Sequence, residues 1–150
     1  MHRKLLPLAL LGACEGDEIE GRTRLQKLVF LMEQELEEES KSSLDSPDYG
    51  FIAYDYGPFS KELYDDLDSL EDADLIDVEE EDITDGKVKY TYRLTEEGRS
   101  WARHLIDNEG ATGVYSLAED LKEEYNDMLL SDLINKVYAE YPEYAKNSVW

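Results

Sequence analysis

Shortage defines this chain first: 150 residues contain one cysteine, two histidines and only 15 lysines and arginines. Cys14 alone builds no disulfide framework, and a reducing interior is its simplest setting. With His2 and His104 the only imidazoles, neither a Cys/His metal cage nor a Cys–His dyad has the numbers it needs. No apolar run approaches the roughly 20 residues that cross a bilayer. Residues 5–11 come nearest, and Pro7 interrupts them. Flanked by Arg3 and Lys4 before and by Gly12, Ala13 and Cys14 after, they mimic a lipoprotein signal. The run is short even for a signal core, so it reads as a buried first helix ending near Gly12.

What the chain has in excess is negative charge, 37 acids and a net −22. Such a surface repels itself in dilute buffer and is tolerated where salt screens it, the Debye length falling to about 3 Å at 1 M. The composition points to the cytoplasm of a salt-accumulating halophile, such as a halophilic archaeon. Carboxylates are so abundant that no pair stands out as general acid and base. Asp82, Asp85 and Gly86 faintly resemble a calcium loop but lack its alternating ligands and its closing glutamate. Gly110-Ala111-Thr112-Gly113 reads as a helix break rather than a clamp on a nucleic-acid backbone. The expectation is no enzyme, no cofactor and no metal.

The length fits one domain, enough to bury roughly 70% of the unfolded surface. Residues 15–21 read as a polar connector. Thr23 and Gln26 have the spacing of a capping box, opening a second helix whose stripe is Leu25, Leu28, Val29, Met32 and Leu36. Residues 33–39 are its solvated end and residues 40–49 a loop. Residues 51–55 form a short strand, and Pro58 suits the first turn of a third helix, 58–72, burying Phe59, Leu63, Leu67 and Leu70. Residues 75–82 and 88–94 form a hairpin closed by Thr84-Asp85-Gly86, with Gly86 left-handed. In that register Ile76 meets Leu94, Val78 meets Tyr92, Asp77 faces Arg93 and Glu81 faces Lys89. Thr95 caps a fourth helix that turns Trp101, Ala102, Leu105 and Ile106 inward. Leu117, Leu121, Tyr125, Leu129, Leu133 and Val137 mark one long helix or two short ones, ended by Pro142. This order describes a mainly α fold with a small β-sheet (α+β): a winged helix-turn-helix core at 1–113 with a helical extension at 114–150.

Four strings carry a family likeness. GRTRLQKLVFL at residues 21–31, YDYGPFSKELYDDLDSL at 54–70, and a hairpin running into YRLTEEG at 92–98, followed by LLSDLINKVYAEYPEY at 129–144, resemble the SocA-like (Panacea, YwgA-like) antitoxin family of prokaryotes. The resemblance is to patterns spread over about residues 21–144, most of the chain. It implies a non-enzymatic domain that binds and neutralises a toxin protein, or tethers a target to other machinery. It fixes neither the partner nor a set of contact residues.

Charge weighs the two jobs open to such a fold. A DNA reader inserts the helix before the wing into the major groove, where phosphates favour Lys and Arg. Here that helix offers Lys61 against Glu62, Asp65, Asp66, Asp68, Glu71 and Asp72. A protein partner, a toxin or other target, fits better, and Tyr138, Tyr141, Tyr144 and Trp150 supply candidate anchors, since Tyr and Trp are enriched in interface hot spots. The bland reading is that these rings pack the last helix onto the domain. The alternative is a transcriptional regulator, homodimeric through its C-terminal helices, that contacts DNA through Arg22, Arg24, Lys27, Lys87 and Lys89. Against it, Arg93 and Lys89 have Asp77 and Glu81 opposite them as partners.

Overall fold

The computed structural model describes residues 2–14, 16, 18–109 and 111–150. Helix α1 (Leu5–Gly12) buries every residue from Leu5 to Leu11, as a helix apolar on all sides must. Its carbonyl end is closed from outside: Lys122 Nζ donates to Leu11 O and Ala13 O, both at 2.7 Å.

The expected connector holds a strand, β1 (Glu18–Glu20). Its one apolar residue, Ile19, is fully buried opposite Tyr92, and Glu18 and Glu20 stand opposite Arg93 and Thr91. Glu15 and Asp17, the rest of that stretch, lie outside the described residues.

Helix α2 (Arg22–Glu35) is the centre of the domain, buried continuously from Leu25 to Met32. The expected stripe faces the core, but the capping box does not form. Gly21, at φ 94°, is the N-cap, and no side chain caps this end. Gln26 is drawn away to Ser60: its Nε2 donates to Ser60 O and its Oε1 accepts from Ser60 N–H, both at 2.9 Å. Glu33 is half-buried rather than solvated, because its Oε2 accepts from Tyr49 N–H at 2.9 Å. The loop expected from residue 40 begins later, after a short helix α3 (Glu38–Ser42).

Strands β2 (Ile52–Tyr54) and β3 (Gly57–Phe59) make a two-stranded sheet in which Ala53 faces Pro58. Pro58 and Phe59 therefore belong to a strand and not to the third predicted helix. That helix, α4 (Lys61–Asp72), starts later because Ser60 caps it, its Oγ accepting from Leu63 N–H at 3.2 Å. Leu63, Leu67 and Leu70 are buried as expected.

Strands β4 (Ile76–Asp82) and β5 (Val88–Leu94) pair in the expected register, and β1 joins β5 to give the order β1-β5-β4. Asp85 and Gly86 both take positive φ, 59° and 71°, and Lys87 N–H closes the turn on Thr84 O at 3.2 Å. Across β4–β5 the facing residues Asp77 and Glu81 do not pair with Arg93 and Lys89. Arg93 binds Glu18 and Glu79, and Lys89 binds Glu20 at 3.0 Å, because β1 brings its carboxylates alongside β5.

Thr95 does cap helix α5 (Glu96–Glu109), its Oγ1 accepting from Gly98 N–H at 2.9 Å. Trp101 does not turn inward; it is 52% exposed. At Gly98 the helix backbone lies so close to β4 that a Cβ there would sit 2.0 Å from Leu75 O. On the next turn the small Ala102 is the buried residue and the indole is left outside. The Ile106 side chain, like Gly110, lies outside the described residues. The C-terminal stripe divides into helices α6 (Thr112–Tyr125) and α7 (Leu130–Glu140), followed by a 3-10 turn at Pro142–Ala145. Leu129, expected inside, caps α7 and is 70% exposed. Helix α6 packs on α1 and α2, and α7 packs on α2, so Leu121, Tyr125, Leu133 and Val137 share one core with the N-terminal helices. No helix among the described residues is long and apolar enough to cross a membrane.

Candidate interaction surfaces

Helix α4 is strongly two-sided. Leu63, Leu67 and Leu70 fix its inner face, while Glu62, Asp65, Asp68, Glu71 and Asp72 are exposed. Asp66 is the exception, buried and paired with Arg3, whose Nε lies 2.9 Å from its Oδ2. Between α4 and β4 runs a cleft of about 250 Å³ lined by exposed Asp68, Glu71 and Glu80, by buried Leu67 and Tyr92, and by Arg22 of the chain itself. Arg22 already supplies this cleft with a long cationic side chain, its stem and head taking the apolar and polar parts of the wall.

Most of the candidate phosphate contacts are already engaged within the chain. The Arg22 guanidinium lies 3.7 Å from the ring centre of Tyr90 and 4.7 Å from that of Tyr64, and its Nε donates to Tyr92 Oη at 3.2 Å. Arg24 donates to the Tyr125 carbonyl at 2.8 Å, and burial holds its pKa below the usual range. Lys27 is 1% exposed and donates to the Tyr56 carbonyl; burial brings its pKa down to about 8. Lys89 pairs with Glu20, while Lys87 is exposed beside the hairpin turn. The structure gathers Arg22, Arg24 and Lys27 on one helix but does not present them as an open basic stripe.

The four tail rings separate into two kinds. Tyr141 and Tyr144 meet Phe30 edge-on, with ring centres 5.1 and 4.7 Å away, so they pack the tail onto α2. Tyr138 donates to Ser148 Oγ at 2.6 Å, and Trp150 is 57% exposed with its ring 6.4 Å from that of Tyr56. Val149 N–H donates to Asp55 O at 2.8 Å, laying the last residues beside β2. Ile52, Tyr54, Tyr56, Val149 and Trp150 are all exposed there, an apolar surface. Its β2 half escaped the sequence reading: residues 51–55 show a strand, but nothing in them says that no other element covers Ile52 and Tyr54.

Cys14 is exposed, and its Sγ lies 3.7 Å from Glu119 O. Partial desolvation of the sulfur raises its pKa and disfavours the reactive thiolate; Lys122 opposes the shift, and Glu119 and Glu123 add to it. Among the described residues no three or more His, Cys, Asp or Glu side chains gather in a way that would hold a metal ion. Comparisons with protein-family models, with curated proteins and with solved structures find no match for this chain.

Proposed function

We propose that this chain is a non-catalytic winged-helix protein of the SocA-like antitoxin type, which works by binding a partner protein with a basic contact surface. In that reading α4 is the helix before the wing, and β4–β5 is the wing. The observation that carries it is the exposed face of α4, with five carboxylates against the single Lys61. Such a face repels phosphate and attracts Lys and Arg, and charge complementarity of this kind steers association and selects partners. DNA reading has less support, because Arg22, Arg24, Lys27 and Lys89 all have partners inside the chain.

Co-purification from a high-salt lysate is the test. The expected result is a stoichiometric protein partner that arrests growth when expressed alone and is neutralised by this chain. Charge reversal at Asp68 and Glu71 should release it. Recovery of the chain alone, with a specific DNA sequence retained, would overturn the reading. The −22 charge belongs to the same proposal as an adaptation to salt, and the unfolding midpoint should climb as KCl is added.

A further inference from the structure

Lys27 is the most deeply buried cation among the described residues, and it has no carboxylate partner although the chain carries 37 acids. Its Nζ has three protons to donate, and one bond goes to the Tyr56 carbonyl. Gln26 cannot help, since both ends of its amide are committed to Ser60. Burial alone accounts for the lowered pKa, with no acid offsetting it. An ammonium so placed is disfavoured unless an anion and further acceptors reach it.

Lys27 also forms part of the wall of a cavity of about 150 Å³. The rest of the wall is chiefly aromatic: Tyr54, Tyr56, Phe59 and Tyr64 line it, with Gly57 and Pro58 at the turn. Tyr54 stacks on Phe59 with ring centres 4.9 Å apart, and Phe59 meets Tyr64 edge-on at 5.5 Å. Tyr54 and Tyr56 are half-exposed, which leaves the cavity open to solvent. A cavity of about this volume holds one benzene-sized ring. Asp55 lines it too, yet forms no ion pair with Lys27 among the described residues.

We propose that this cavity binds a small carboxylate carried on one flat ring, with Lys27 as its counter-charge and the Tyr54, Tyr56 and Phe59 rings as its stacking wall. The long-range field of the chain opposes any anion, but concentrated salt screens it to within a few ångströms, while the contact with Lys27 lies inside that distance. The ring adds apolar and stacking contact that a bare anion lacks. The site takes Tyr64 from α4 but none of the exposed carboxylates of that helix, and it needs no protein partner.

Potassium benzoate, exchanged for KCl at constant ionic strength, is the probe, and benzamide is its neutral counterpart. At tenfold excess over its dissociation constant, benzoate should raise the unfolding midpoint of the wild-type chain by about 3–5 °C. Benzamide should raise it far less, and Lys27→Met should abolish the benzoate gain. In chain labelled at lysine Cε, benzoate should shift the Lys27 signal selectively, a readout that does not depend on the variant folding. An equal response to benzamide, a gain that survives in Lys27→Met, or a Lys27 signal unmoved by benzoate would each overturn the proposal.

Discussion

Gln26 and Ser60, 34 residues apart, clasp each other through two opposed hydrogen bonds of 2.9 Å, the Gln26 amide matching both backbone groups of Ser60. Ser60 Oγ in turn accepts from Leu63 N–H and donates to Tyr49 O at 2.6 Å, so one buried point joins α2, the loop before β2 and the start of α4. Gln26→Leu keeps the volume and leaves two buried backbone groups without partners. It should destabilise the fold by about 2–4 kcal/mol. Urea unfolding in concentrated KCl measures the loss, and faster hydrogen exchange at the Leu63 amide would locate it at the α4 cap.

Gly98→Ala should be costly although the site is helical, where alanine ordinarily gains about 1 kcal/mol over glycine. The added methyl would meet Leu75 O at 2.0 Å and Leu94 Cδ1 at 2.8 Å. Leu75 O cannot simply retreat, because it accepts from Thr95 N–H at 3.1 Å. A loss of about 3 kcal/mol, in the upper part of the overpacking range, is expected from the same unfolding measurement. A gain would mean that α5 does not approach β4 this closely.

Glu33 sets a pH dependence. Burial raises its carboxyl pKa from 4.5 to about 7; Asp48 pushes the same way, while the Tyr49 N–H bond, Arg3 and Lys41 oppose it. The folded state therefore favours the protonated form. That contribution is complete below the unfolded pKa near 4.5 and is lost as pH rises through about 7. Glu33→Gln still accepts from Tyr49 and should flatten this part of the stability profile. At pH 8 it should exceed wild type by about 1–2 kcal/mol, partial exposure discounting the full linkage value. Urea midpoints taken across the acid-to-neutral range would show whether the two profiles converge at low pH.

Arg22 separates an internal role from a phosphate-binding one. A side chain held free for phosphate could be shortened without affecting stability. Arg22 instead lies over Tyr90 and Tyr64 and donates to Tyr92. Arg22→Ala should therefore cost about 1–2 kcal/mol through lost cation–π and stem packing. Arg22→Lys should restore only part of it, since an ammonium lacks the flat stacking face. Equilibrium unfolding of both variants decides the matter.

Where side-chain pattern alone determined the outcome, the sequence was readable. The α2 stripe and the β4–β5 register follow from apolar spacing, and both stand as expected. Failures cluster where a distant partner took over. Gln26 has the spacing of a cap residue, but Ser60 offered it two bonds instead of one. Strand β1 has a single apolar residue to announce it and exists through backbone pairing with β5. Trp101 and Leu129 matched apolar positions, yet the close approach at Gly98 and the start of α7 turned them outward. Among the candidate contacts, Tyr141 and Tyr144 were legible as large rings, but no local signal distinguished packing on Phe30 from waiting for a partner.

Part of the cover over α1 arrives late in synthesis. Helix α2 follows Leu5–Gly12 closely and covers one side of it, yet α6, which also packs on it, and the Lys122 ammonium that closes its end come about a hundred residues afterwards. At roughly 5–20 residues per second, the side of this greasy helix that α6 covers stays unsheltered for about 5–25 s on every nascent chain. Chaperone dependence, and sensitivity to stalling or truncation ahead of α6, are therefore set by chain order as much as by final stability.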